Sequence, residues 1–79
     1  MTNLNNTKEK MTEIGTKLRL TRESIGISQE CVAKMIGKNQ SFISRVETGR
    51  HKLLVLELLD FCIVYKKPSS YFIGDSYDE

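Results

Sequence analysis

The chain has 79 residues, the size of one small domain, with 12 Lys and Arg against 10 Asp and Glu and a net charge of +2. A domain this small buries only about 60% of its unfolded surface, so its stability is marginal without a disulfide, a metal ion or a partner subunit. No apolar run approaches the ~20 residues that span a bilayer, and residues 1–7 are polar, unlike a signal peptide, so the sequence predicts a cytoplasmic protein. A bacterial or phage source is assumed.

The positive charge is unevenly distributed along the chain. Residues 8–52 carry ten Lys and Arg against five Asp and Glu, whereas residues 53–79 carry two against five. A basic body and an acidic end favour one surface that faces nucleic acid and a second surface turned away from it. The alternative is that these charges only solvate the surfaces of helices.

The apolar pattern along the chain predicts helices and no strand, so the expected fold class is all-α. Residues 1–10 form a predicted disordered N-terminal tail, and the domain is expected over residues 11–73. The first helix starts at about Lys8 or Thr12, carries an apolar face at the helical spacing, and ends at Gly26.

Two short helices joined by a tight turn are predicted over residues 28–49. Ser28 is a good N-cap for the first of them, and Ala33 is small enough to let a second helix cross closely. Gly37 accepts the positive φ that the turn requires. Asn39 then caps the second helix of the pair.

That second helix, predicted over residues 40–47, has an apolar and a polar face. Ile43 and Val46 lie three residues apart and mark the apolar face. The polar face consists of Gln40, Ser41, Ser44, Arg45 and Thr48. Side chains of these types read base edges and phosphates, so the segment is a candidate DNA reader. Phe42 is expected to flank the core rather than to contact a thymine methyl group.

The predicted fourth helix, from Leu54 or Val55 to about Tyr65, is apolar almost all round. Glu57 and Asp60 are its only charged residues. A helix of this kind lies at the centre of a core or is shared with a partner.

Pro68 opens a short fifth element over residues 69–73, because proline suits the first turn of a helix, and a predicted acidic tail follows over residues 74–79. The two C-terminal elements hold more apolar surface than so small a core can hide, which predicts a homodimer. The expected dimer interface consists of Ile63, Val64, Tyr71, Phe72 and Ile73. The alternative is one ordinary core.

Several short motifs combine into a specific pattern. They are Ile14-Gly15, Leu18-Arg19 and Arg22 in the first helix, then Ile27-Ser28-Gln29-Glu30, Val32-Ala33, Gly37, Ser41, Ile43-Ser44-Arg45-Val46-Glu47 and Gly49. Together they resemble the Cro and lambda-repressor type of helix-turn-helix domain, also called the Xre family, from Ile14 to Ile73. The run SQECVAKMIGKNQS, residues 28–41, is especially close to the lambda-repressor version.

The resemblance implies a compact five-helix domain, with its helix-turn-helix motif at residues 29–48, that docks as a homodimer on a short palindrome of double-stranded DNA. Gln29 corresponds to the family's glutamine that contacts a phosphate and braces the first residue of the recognition helix. Gln40 corresponds to that base-reading residue, and Ser41 and Arg45 correspond to further positions facing the groove.

The resemblance also implies a partly buried ion pair between Arg22 and Glu47, which sets both residues apart from the expected DNA contacts. One departure from the family lies after Gly49. The family usually has a proline there, whereas this chain has Arg50-His51-Lys52-Leu53.

The chemistry of the polar residues supports contacts with DNA. A glutamine at the start of a recognition helix pairs with adenine, so Gln40 is expected to read a base. Arg45 fits either a guanine or a phosphate. Gln29 and Asn39 lie at predicted helix N-termini, which favour phosphate. The full set of expected DNA contacts is Gln29, Asn39, Gln40, Ser41, Ser44, Arg45, Arg50, Lys52, Arg19 and Lys38, of which Arg19 and Lys38 could equally be solvated surface charges.

No catalytic or metal-binding group emerges. Cys31 and Cys62 are expected to be small buried apolar residues, and His51 alone does not make a metal site. Without a nucleophile–base set, the sequence predicts no enzyme, no metal, no cofactor and no small-molecule ligand. The expected function is a repressor or controller, a description that fits phage repressors, restriction–modification controllers, antitoxins and developmental regulators alike. The alternative is a protein-interaction module of the same fold that binds a toxin or another regulator.

Overall fold

The computed structural model describes residues 6–74, which form five helices and no strand. The helices are α1 (Thr7–Ile25), α2 (Gln29–Met35), α3 (Gln40–Glu47), α4 (Val55–Tyr65) and α5 (Ser69–Ile73). The predicted all-α, five-helix architecture is therefore confirmed. Most of the predicted acidic tail, residues 75–79, and the first five residues lie outside the described part of the chain. None of the described helices is long and apolar enough to cross a membrane.

The helix ends follow the local signals in the sequence. Ser28 Oγ accepts a hydrogen bond from the Cys31 backbone N–H at 3.0 Å. Asn39 Oδ1 accepts one from the Phe42 N–H at 2.8 Å, so both predicted N-caps are confirmed. Gly26 ends α1 in the left-handed conformation, with φ 90°. The start of α1 differs from the prediction, because residues 7–10 already belong to the helix rather than to a tail.

The core lies where α1 packs against α3, α4 and α5, with α2 packed on α3. Its buried side chains are Leu18, Val32, Ala33, Phe42, Ile43, Val46, Leu58, Phe61, Tyr65 and Phe72. Phe42 lies inside this core and stacks on Phe61, with ring centroids 6.5 Å apart. Its expected position at the core is thus confirmed.

Close contact between α1 and α3 depends on Gly15. A Cβ added at this glycine would overlap the carbonyl oxygens of Val46 and Glu47, at the C-terminal end of α3. Because no side chain separates the two backbones, α3 sits directly against α1.

Two expectations about burial were wrong, one for Phe72 and one for the cysteines. Phe72 is only 1% exposed and belongs to the core, so it cannot form part of a surface interface. Val64 and Ile73 are partly buried against the same core. Cys31 is exposed and Cys62 only partly buried, although both are free thiols as expected. Burial raises the pKa of the Cys62 thiol.

Candidate nucleic-acid interface

Helix α3 separates its buried and polar residues onto opposite sides. Its buried residues are Phe42, Ile43, Val46 and Glu47. Gln40, Ser41 and Arg45 are exposed, and Ser44 is partly buried. The Arg45 guanidinium donates a hydrogen bond from Nη1 to Ser41 Oγ at 2.6 Å, one helical turn away. The outer side of α3 is therefore a continuous strip of hydrogen-bonding groups.

The N-termini of α2 and α3 meet through two glutamine side chains. Gln40 Nε2 donates a hydrogen bond to Gln29 Oε1, so the bracing that the family resemblance implied is present. Each glutamine is the first residue of its helix. The N-termini of α2 and α3 therefore lie next to each other at these two amides.

A buried ion pair lies behind the two glutamines. Arg22 of α1 donates from Nε to Glu47 Oε2 at 2.7 Å and from Nη2 to Glu47 Oε1 at 3.1 Å. The Glu47 side chain is 1% exposed and the Arg22 side chain 11% exposed. The hydrogen bond to Glu47 raises the pKa of Arg22 above its ordinary value. The ion pair implied by the resemblance is confirmed as a contact between α1 and α3.

Each member of the ion pair makes a further hydrogen bond, Arg22 to the loop before α2 and Glu47 to Gln29. Arg22 Nη1 donates to the Ile27 carbonyl oxygen at 2.9 Å and so ties the ion pair to the loop before α2. Gln29 Nε2 donates to Glu47 Oε1 at 2.8 Å. The pKa of Tyr65 lies well above its ordinary value, mainly because the phenol is buried and to a smaller extent because of the nearby Glu47 charge. The phenol therefore stays neutral.

A second cluster forms around the loop after α3. The His51 ring meets Phe42 edge-on, with ring centroids 4.8 Å apart, and His51 Nε2 lies 2.9 Å from Glu57 Oε1. Glu57 Oε1 also accepts a hydrogen bond from the Leu54 backbone N–H at 2.9 Å. Burial raises the pKa of Glu57, but the Leu54 and His51 contacts outweigh it, so the pKa lies below its usual 4.5.

This cluster holds the loop that departs from the family pattern. Arg50 and Lys52 flank His51 and are both exposed. The Lys38 Nζ lies 5.1 Å from the centroid of the Phe42 ring, on the turn between α2 and α3. Lys38, from the turn before α3, and His51, from the loop after it, thus both pack on Phe42.

Two further residues of the predicted contact set, Asn39 and Arg19, are also engaged within the protein. The Asn39 side chain caps α3 through its oxygen. The Arg19 guanidinium pairs with Glu23 at 3.1 Å, one turn along α1, with both side chains about half exposed. As contacts to DNA, all ten residues remain predictions.

Two links in this region had not been predicted. The hydrogen bond from Gln29 to Glu47 joins residues 18 positions apart, and only the packing of α2 on α3 brings them together. In the contact between His51 and Glu57, the position of Glu57 at the third residue of α4 predicts only its bond to the Leu54 N–H and not the His51 ring. Among residues 6–74, no group of His, Cys, Asp and Glu could hold a metal ion.

Comparison with known proteins places this geometry in context. A family model described as a helix-turn-helix domain matches residues 13–65. The fold is similar to that of the restriction-modification controller protein C.AhdI from Aeromonas hydrophila, with a TM-score of 0.77 and 23% sequence identity over 82% of this chain and 94% of that chain. A search of curated proteins finds no match.

Proposed function

The chain belongs to the helix-turn-helix domain family, and from this premise we propose that it is a sequence-specific transcription regulator that binds a short palindromic operator as a homodimer. The observation that carries the proposal is the pair formed by Gln29 and Gln40 at the adjoining N-termini of α2 and α3. A side chain that is both exposed and held in one orientation is what base recognition requires.

The polar strip on α3 supports recognition in the major groove, which is wide enough to admit an α-helix. Gln40 stands at the N-terminal end of α3, the end that contacts base edges in helix-turn-helix complexes. Ser41 and Arg45 follow it on the exposed side of the helix. The contact of Arg45 with Ser41 preorganises the guanidinium along α3.

Exposed cations around this strip support contacts with the phosphate backbone. Lys38, Arg50 and Lys52 lie at the turn before α3 and in the loop after it. Such contacts set the position of a protein on DNA without reading its sequence. They also make the affinity fall steeply as the salt concentration rises, because each neutralised phosphate releases bound counterions.

An exposed apolar stripe on α4 supports the homodimer. It consists of Val55, Leu56, Leu59 and Ile63, which are 73%, 75%, 42% and 74% exposed. The opposite side of the helix buries Leu58, Phe61 and Tyr65 in the core. Four apolar side chains on one face cost free energy in water, and a two-fold axis would pack the stripe against its own copy.

The proposed interface therefore keeps Ile63 from the expected set and extends along α4 instead of including Phe72. In such a dimer the two recognition helices would lie roughly 34 Å apart, in successive major grooves on one side of the DNA. The two-fold axis of the dimer requires an operator with matching two-fold symmetry, and the helix spacing sets the distance between its half-sites.

The deciding experiment is the selection of bound duplexes from a random DNA pool. The proposal predicts an inverted repeat whose half-sites lie about one helical turn apart, with affinity that decreases as salt is raised. A pool that stays random after several rounds at low salt would overturn the proposal. That outcome would favour the alternative of a protein-interaction module, against which the exposed polar strip on α3 argues.

A further inference from the structure

The amide of Gln40 is joined to the buried ion pair by an unbroken series of hydrogen bonds. Gln40 Nε2 donates to Gln29 Oε1, and Gln29 Nε2 donates to Glu47 Oε1 at 2.8 Å. Arg22 holds the same carboxylate from the other side, at 2.7 and 3.1 Å. The series runs from an exposed side chain to one that is 1% exposed, and it crosses three helices.

The chemistry of the buried end imposes a direction on the whole series. A carboxylate paired with a guanidinium offers only acceptor oxygens, so it can meet only the N–H₂ end of the Gln29 amide. The oxygen of that amide must then point to Gln40. Gln40 must in turn direct one N–H to Gln29, which leaves its Oε1 and its second N–H free.

We infer that Glu47 is a specificity-determining residue that sets which hydrogen-bonding groups Gln40 presents to DNA. The inference rests on the proposed function, in which Gln40 reads a base. One free acceptor beside one free donor matches adenine, which offers the N6 donor and the N7 acceptor in the major groove. Guanine offers two acceptors there, so this orientation of Gln40 selects against it.

The carboxylate is needed because an amide by its own shape does not choose an orientation. Rotating a glutamine amide by half a turn exchanges its nitrogen and oxygen with almost no change in shape. With Gln29 reversed, its N–H₂ would face Gln40, whose oxygen would accept from it. Gln40 would then present two N–H groups, which match the two acceptors of guanine. A buried acceptor-only group removes that second arrangement.

The first test uses the free protein and does not depend on DNA. In wild type, through-hydrogen-bond NMR couplings should connect the Gln40 side-chain nitrogen to the Gln29 side-chain carbonyl, and the partly buried Gln29 amide should exchange slowly with water. Glu47→Gln should abolish the coupling or greatly weaken it. Glu30→Gln, the same change at an exposed position beside Gln29, should leave it intact. Rapidly exchanging, uncoupled amides in wild type would overturn the inference.

The second test uses the random duplex pool. Wild type and Glu30→Gln should select adenine at one position of each half-site. Glu47→Gln should lower the preference for adenine over guanine there by about tenfold, while the other positions keep their preferences. An unchanged preference in a folded Glu47→Gln protein would overturn the inference.

A third variant covers the case in which Glu47→Gln does not fold. Gln29→Ala keeps the ion pair and removes the link together with the expected phosphate contact of Gln29, so the protein should fold and bind more weakly overall while the adenine preference at that position relaxes. Retention of the wild-type preference in Gln29→Ala would contradict the inference. If wild type selects no sequence while the NMR couplings are present, the proposed function fails and the specificity role of Glu47 fails with it. In that case, the couplings would still show the amide orientation.

Discussion

The carboxylate of Glu47 receives both hydrogen bonds of a two-pronged guanidinium contact from Arg22, at 2.7 and 3.1 Å, where α3 packs on α1. The same carboxylate accepts from Gln29 at 2.8 Å. One buried group thus takes part both in holding α3 against α1 and in the hydrogen bonds between the N-termini of α2 and α3. Stability and recognition can be separated experimentally because they depend on different neighbours of this group.

Glu47→Ala should reduce the free energy of unfolding by about 3–5 kcal/mol, because it leaves the mostly buried Arg22 guanidinium without its partner. The control is Arg19→Ala, which removes the exposed ion pair of Arg19 with Glu23 on α1, leaves the contacts of Arg22 in place, and should cost less than about 1 kcal/mol. Urea denaturation of both variants measures the difference. A midpoint for Glu47→Ala equal to that of wild type would show that the pair does not stabilise the fold.

Gln40→Ala should weaken binding to the selected operator by about 1–3 kcal/mol and relax specificity at one base position in each half-site. The reason is that truncation removes a base contact while the rest of α3 remains in place. Lys52→Ala, at an exposed residue of the basic loop, provides the contrast: it should weaken binding to all sequences alike and lower the salt dependence. Fluorescence anisotropy on operator variants measures both effects. A uniform loss for Gln40→Ala would assign that residue to the backbone instead.

Gly15→Ala should destabilise the protein by about 1–3 kcal/mol, although alanine is the better helix former by about 1 kcal/mol. The sign reverses because the added Cβ would overlap the backbone carbonyls of Val46 and Glu47 and force α1 away from α3. Ser24→Ala, on an exposed part of α1, should be neutral or slightly stabilising. The thermal midpoints of the two variants and of wild type measure these effects. A midpoint of Gly15→Ala above that of wild type would mean that α1 and α3 are not in close contact.

Leu56→Glu should convert the proposed dimer into a monomer, because it places a charge at the most exposed residue of the apolar stripe on α4. Leu20→Glu makes the same change at a residue of α1 that is 52% exposed and lies outside the stripe, so this variant should stay dimeric. Sedimentation velocity at tens of micromolar protein measures the oligomeric state of wild type and of the two variants. The interface would have to be abandoned if wild type sedimented as a monomer under these conditions.

The contribution of Glu57 to the stability of the folded protein should depend on pH in the acid range. Its pKa is lower in the folded protein than the usual 4.5, so its stabilising effect is complete above that value and is lost as the pH falls through the folded pKa. Glu57→Gln should therefore reduce the free energy of unfolding at neutral pH by about 1 kcal/mol, which lowers the thermal midpoint. The difference in midpoint between the variant and wild type should disappear in acid. Asp60→Asn, at an exposed residue of the same helix, serves as the control. A gap that widened on acidification would contradict the assigned shift.

Local chemistry was enough to predict the five helices and most of their ends. Ser28 and Asn39 act on backbone groups three residues away, and Gly26 needs only its own freedom of φ, so these features depend on near neighbours in the sequence. The polar strip of α3 could likewise be predicted, because the helical repeat alone separates Gln40 and Arg45 from the buried residues.

Burial at the C-terminal end and the network around Glu47 depend instead on how the helices pack. Both Phe72 and Ile63 look apolar and helical in the sequence, yet the first is buried and the second is 74% exposed, because the orientation of α4 and α5 against α1 decides which face is covered. Gln29 and Glu47 meet for the same reason. A side chain's type limits what it can bond to, but its partners depend on distances between helices that no local pattern in the sequence encodes.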